Sequence, residues 1–181
     1  KCAFFSLSLC LLLCFSCSLK TTEYYINTVT GKINSDSLKT TLTHEHVMSR
    51  FGAEQDYNAV YDTLPNYNQI LPYLKKIKSL GVSSIFDCTT AYFGRNVKTL
   101  EKLSKESGIQ IITNTGFYGA YNDVYVPKFA FDLNDDEIAK IWIKEFEEGI
   151  DGTGIKPGFI KLAFDDGEPS NIDLKLFKAG L

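Results

Sequence analysis

The chain opens with an apolar run from Cys2 to Phe15, broken only by Ser6 and Ser8 and preceded by one basic residue. That is the core of an export leader, short of the roughly 20 residues of a comfortable membrane span. Beyond Leu19 the pattern changes to short β-rich runs separated by stretches of helical period. Tyr24 to Val29 has strand composition, and Thr30-Gly31-Lys32 is a turn signal before Ile33, which together predict a hairpin. Thr40 to Val47 predicts the next strand. Met48 to Pro65 is polar and aromatic without period and reads as a long loop. Ile70, Tyr73, Leu74, Ile77 and Leu80 recur at helical spacing ahead of Gly81. Val82 to Cys88 predicts a strand, Val97, Leu100 and Leu103 a helix stopped by Gly108, and Ile109 to Thr113 a further strand. A Gly- and Tyr-rich loop follows from Thr115 to Pro127. Asp135, Asp136 and Glu137 favour the start of a helix that carries Ile138, Ile141, Trp142 and Phe146. Phe159 to Phe164 is a fourth β run, and Asn171 is placed to cap one more helix.

Strands alternating with helices at this spacing argue for a parallel sheet with crossover helices. An open doubly wound sheet and a (β/α) barrel both have that order. No Gly-rich phosphate loop follows the first strand, which counts against a nucleotide-binding sheet. A barrel takes eight β/α units and typically about 250 residues. This 181-residue chain holds about four such units. The expectation is a fragment: a leader over residues 1–17, then a single domain over 18–181. That domain is the N-terminal half of a (β/α)8 TIM barrel, about four β/α units preceded by a short β-hairpin.

Composition narrows the function classes. The net charge of −3, with no run of like charges, argues against a nucleic-acid surface. Cys2, Cys10, Cys14 and Cys17 all fall in the leader, and Cys88 is the single thiol of the body, so no internal disulfide framework holds the domain. Phe15-Ser16-Cys17-Ser18 has the form of a lipobox end, with Cys17 as the lipid attachment site, although Phe15 and Cys14 stand where smaller or aliphatic residues are commoner. An ordinary secretory leader cleaved nearby is the alternative. Either way the expectation is an exported protein, periplasmic, extracellular or anchored to the membrane by lipid.

Both histidines of the sequence lie in Thr41-Leu42-Thr43-His44-Glu45-His46-Val47. Residues two apart on a strand share a face, so His44 and His46 project side by side, with Leu42 on the same face. Two neutral imidazoles together make a bidentate metal site, and a pair of satisfied histidines has the same spacing. On the fourth β run, Phe159, Lys161 and Ala163 share one face and Ile160, Leu162 and Phe164 the other. If the second face packs on helices, Lys161 points into the barrel, where an unpaired ammonium is costly. A neutral lysine amine can add carbon dioxide to form a carbamate, an anionic ligand able to bridge two metals. A solvated lysine at a strand end is the competing reading.

Four stretches in order carry a resemblance: INTVTGKINSDSLKTTLTHEHV (Ile26 to Val47), GVSSIFDCTTAYFGRNV (Gly81 to Val97), GIQIITNTGFY (Gly108 to Tyr118) and GIKPGFIKLA (Gly154 to Ala163). With them the chain resembles the phosphotriesterase family of the amidohydrolase superfamily over nearly everything after the leader. The resemblance implies a metal-dependent hydrolase with two divalent metal ions, commonly zinc, in which metal-bound hydroxide attacks an ester. It places His44 and His46 on the more buried metal and Lys161, as a carbamate, between the two. Tyr118 matches a position near the substrate, where a packing role is the alternative, and Arg95 is read as a structural ion-pair residue. Two further histidines and an aspartate that the family takes from later strands have no counterpart here, since the sequence has no third histidine.

The expected substrate is a small lactone, carboxylic ester or phosphoester. A non-catalytic lipoprotein with a remnant half barrel, and an amidase or cyclic amidohydrolase on the same scaffold, are the competing functions. A half barrel also leaves sheet edges and an apolar interior uncovered, which invites aggregation or a homodimer.

Overall fold

The computed structural model describes residues 23–51 and 64–181. The leader, with its four cysteines and the lipid site expected at Cys17, lies outside the described residues, as does 52–63 of the predicted long loop. In chain order the elements are β1 (Tyr25–Thr28), β2 (Gly31–Asn34), β3 (Thr41–Glu45), α1 (Leu64–Ser79), β4 (Ser84–Asp87), α2 (Val97–Ser107), β5 (Gln110–Ile112), β6 (Asn114–Thr115), α3 (Lys128–Asp132), α4 (Asp135–Glu148), β7 (Phe159–Ile160) and α5 (Asn171–Ala179). Single 3-10 turns occur at Ser35–Ser37 and Ile150–Gly152.

β1 and β2 form the expected antiparallel hairpin, with Thr28 opposite Gly31. It docks against the sheet through the Val29 N–H, which donates to the Ile111 carbonyl at 2.9 Å. β3, β4 and β5 are parallel and adjacent in sequence order, and β6 pairs in parallel with β7. β5 lies within the third predicted strand, and β6 continues its direction past Thr113, taking in Thr115 from the stretch read as a loop. Four strand positions therefore stand side by side in chain order with helices between them, as in the first half of a β/α barrel.

Two apolar clusters hold the layers together. Leu42, Ile85 and Ile111 stand level across three strands. They pack with Leu74 of α1 and with Leu100 and Leu103 of α2. A second cluster joins Phe117, Val126, Ala130, Ile138, Trp142, Ile172 and Leu176, with Leu162 against it. The opposite face of the strands carries Phe86 and Phe159, whose rings meet at 5.3 Å. Of the expected fourth strand only Phe159–Ile160 pairs as β7, with an isolated bridge at Ala163. Leu162 packs on the helix side and Phe159 on the inner side, while Ile160 and Phe164 are exposed rather than packed on helices.

The helix ends follow from local chemistry. Asn96 accepts from the Thr99 N–H at the start of α2. Asn134 and Glu137 form a reciprocal capping box on α4. The cap of α5 is Ser170 and not Asn171: the Ser170 hydroxyl accepts from the Asp173 N–H, and the Asp173 carboxylate takes the Ser170 N–H. α1 begins at Leu64, inside the stretch read as loop, because a proline such as Pro65 needs no partner in a first turn. Pro72 sits within α1 on its exposed side and has no N–H to give the Asn68 carbonyl. α3 has no counterpart in the sequence pattern, being too short for its period to register.

Leu42 departs from the expectation that it shares a face with the histidines. The β3–β4 register slips between Leu42 and Glu45, where three residues of β3 are spanned by two of β4. Such a bulge puts Leu42 against the helices and turns the later residues of β3 to a new direction.

β7 lies tightly against β6. The Lys161 N–H donates to the Thr115 carbonyl at 2.7 Å. Gly116 has φ +116°, and a Cβ there would be driven into the Lys161 backbone carbonyl. Gly152, with φ +69°, has open space around it. Gly152→Ala therefore carries backbone strain alone, about 1–3 kcal/mol, and Gly116→Ala adds the collision with β7. Urea denaturation should show Gly116→Ala as the more destabilised; equal losses would mean that β7 is free to move aside.

Candidate functional site

The C-terminal ends of the strands gather the residues singled out in the sequence. His44 and His46, at and just past the end of β3, have ring centroids 5.7 Å apart. The His46 ring meets the Phe93 ring edge-on at 5.3 Å. Phe93, buried in the loop after β4, stacks on Tyr118 at 4.5 Å. The Lys161 Nζ lies 6.0 Å from the centre of the Tyr118 ring and donates to the Leu162 carbonyl at 2.8 Å. Four strand positions thus each contribute to one space: the two imidazoles, Phe93, Tyr118 and Lys161. The positive charge of Lys161 acts on both His46 and Cys88.

A layer of buried polar groups stands behind His46. Its Nδ1 is 3.1 Å from the Thr89 hydroxyl, which donates to Asp87 Oδ1 at 3.0 Å. The Val47 N–H donates to the same oxygen at 2.9 Å. Asn114, from β6, gives its amide to the carbonyls of Asp87 and Thr89 at 2.8 and 2.9 Å. Thr89 and Asn114 are fully buried and Asp87 almost so. The sequence pattern alone singles out none of Asp87, Thr89 and Phe93. The signal available is Asp87 and Thr89 two apart at the end of a predicted strand, polar where apolar residues would be expected.

Electrostatics follow from this packing. Burial pushes the Asp87 carboxyl up to about 7, against the pull of the Val47 and Thr89 hydrogen bonds and the Arg95 charge. Burial against its neighbours, then the charges of His44 and Lys161, hold His46 below the usual imidazole range, which favours the neutral ring. Burial also raises the Cys88 thiol, keeping it protonated. Arg95 binds both oxygens of Glu145, at 2.6 and 3.1 Å, and the Asn114 carbonyl at 2.6 Å. This buried fork pins the β4–α2 loop to α4, the structural role expected of Arg95.

The donor set suits a divalent metal in part. Neutral imidazole is a ligand for zinc and its neighbours, and with Nδ1 of His46 engaged by Thr89, Nε2 is the nitrogen left to ligate. Among the described residues no group of three or more His, Cys, Asp and Glu side chains is placed to hold a metal. The remaining candidate is Lys161, which as an ammonium would repel a cation and as a carbamate would supply the anionic oxygen the histidines lack.

The arrangement is that of a parallel β/α barrel whose site is assembled at the C-terminal ends of its strands. Comparison with known proteins makes the assignment specific. The Phosphotriesterase family matches residues 24–180. The chain belongs to that family. It is 33% identical over 135 residues to an aryldialkylphosphatase of Saccharolobus solfataricus, covering 74% of this chain and 42% of that protein. It is 28% identical over 164 residues to an N-acetyltaurine hydrolase of Xenopus tropicalis, covering 75% and 46%. A solved organophosphorus hydrolase variant from Deinococcus radiodurans superposes with a TM-score of 0.72 at 30% identity, over 86% of this chain and 48% of that one. The chain spans about half the length of the curated relatives it matches.

The raised Asp87 has a consequence for stability. The unfolded carboxyl ionises near its ordinary 3.8, while the folded one keeps its proton to about 7. Its contribution to stability is therefore present below pH 4 and is lost as the pH rises towards 7. Asp87→Asn keeps an acceptor for Val47 and Thr89 but cannot ionise. Chemical denaturation of both proteins from pH 4 to 8 should show the variant gaining on the wild type as pH rises. A constant difference would mean that Asp87 is ionised throughout.

Proposed function

We propose that this chain is the ligand-bearing first half of a metal-dependent hydrolase that cleaves an ester bond in a lactone, carboxylic ester or phosphoester. The observation that carries the reading is the convergence of His44, His46 and Lys161 around one space walled by Phe93 and Tyr118. The two imidazoles would hold the first of two divalent ions, zinc being an ion that suits them. Lys161, which donates to the Leu162 carbonyl in this structure, would supply the anionic oxygen the histidines lack if its neutral amine added carbon dioxide and released a proton to give a carbamate. The chemistry that a bound divalent pair supplies is polarisation of the ester oxygen and activation of water. Phe93, buried and stacked on Tyr118, helps exclude bulk water from one side, and Tyr118 is the ring left to meet the substrate. The remaining ligands and the acid–base group would come from later strands of the barrel, as the family resemblance implies.

A second reading, hydrolysis of an amide, is supported by the similarity to an N-acetyltaurine hydrolase. The same residues serve either bond, so substrates decide between them. For the leader we propose export, with lipid attachment at Cys17.

The test uses the complete protein, assayed side by side on lactones, organophosphate esters and N-acyl amines. Lys161→Ala should bind metal more weakly and lose about 100-fold or more of its activity, because removing the anion withdraws several kcal/mol of charge stabilisation. Acetate or bicarbonate should restore part of both. His44→Ala should lose metal without such rescue, since what it lacks is a nitrogen ligand. Full metal loading and full activity in Lys161→Ala would reduce Lys161 to a bystander.

A further inference from the structure

We infer that Thr89 fixes the tautomer of His46, acting as a positioning residue through a one-way hydrogen-bond relay. The inference rests on the proposed metal-binding role of His46 only for its purpose; the relay itself is a property of the chain. The Thr89 hydroxyl has one proton to give. Asp87 Oδ1 already takes the Val47 N–H at 2.9 Å and receives the Thr89 proton at 3.0 Å. With that proton committed, the Thr89 oxygen can only accept from His46, at 3.1 Å. The Nδ1 of His46 must then carry the hydrogen, and Nε2 is left with its lone pair free. The reverse relay would require Asp87 to donate from the same oxygen that accepts from Val47.

The relay is built to hold its direction. Thr89 is fully buried, so no water competes for its hydroxyl. Asn114 ties the carbonyls of Asp87 and Thr89 to β6, which sets the distance between their side chains. Phe93 packs edge-on against the His46 ring and restricts its rotation. His44 has no such partner among the hydrogen bonds of the described residues, so the two imidazoles differ: one is fixed in advance and the other is free to adjust. A ligand whose tautomer and orientation are set before the metal arrives binds without first reorganising.

With only two histidines in the chain, long-range nitrogen–proton NMR of the metal-free protein above pH 8 reads each ring directly. His46 should show the Nδ1–H tautomer. Thr89→Val, close in shape to threonine, should exchange the two nitrogen shifts of His46 and leave His44 unchanged. Thr89→Ser should keep the wild-type pattern, and circular dichroism of both variants checks the fold. An Nε2–H tautomer at His46 in the wild type, or an unchanged pattern in Thr89→Val, would overturn the relay. Zinc titration of the same samples is read separately. Thr89→Val should bind about 10–100-fold more weakly than wild type, with Thr89→Ser close to wild type. Zinc that moves neither ring in the wild type would remove the metal reading while the tautomer result, read without metal, still supports the relay.

Discussion

The register slip between Leu42 and Glu45 is the constraint on which the site depends. Strict alternation along β3 would put Leu42 and both histidines on one face. Leu42 is needed by the cluster under α1 and α2, while imidazoles buried there would find no partners. One extra residue in β3 lets the chain satisfy both demands: the apolar side chain stays with the helices and His44 and His46 come together where the strands end. A bulge in this position costs a ladder hydrogen bond and sets the direction of the two imidazoles, the kind of exchange seen where bulges lie next to functional sites.

The strand ends carry a second departure from core chemistry. Asp87, Thr89, Thr90, Thr113, Asn114 and Thr115 are all buried, at positions where apolar residues would pack at no polar cost. Several of their atoms, including Asp87 Oδ2 and Asn114 Oδ1, have no hydrogen-bond partner among the described residues. Local conflict of this sort is expected at functional or strained sites. Here the polar layer links β3, β4 and β6 side to side, so that the direction of His46 is decided by three strands together. The Arg95–Glu145 fork extends the same tie to α4.

Aromatic packing shapes the open side. Phe93 touches His46, Phe51, Tyr118 and Tyr125. Tyr121 leans on Phe51 and Tyr125 from a run of three left-handed residues, Tyr121, Asn122 and Asp123. The Asp165 carboxylate accepts the N–H groups of Asn122 and Tyr121, which holds this strained turn and depresses the Asp165 carboxyl below its usual range. A wall made of rings on three separate loops suits a flat or apolar group beside the histidines.

Local pattern was enough for the order of strands and helices, the hairpin and the His-x-His spacing, because periodicity and turn residues act over a few positions. The four family stretches were legible for the same reason: each is a short run with its own chemistry. Pattern misplaced the cap of α5 by one residue and the start of α1, where neighbouring residues are chemically interchangeable. It put Leu42 with the histidines because alternation along one strand cannot register a slip against the next. The Asp87–Thr89–His46 relay and the Phe93–Tyr118 stack were decided only by tertiary structure, since each joins residues from separate strands or loops whose proximity depends on how β3, β4 and β6 align.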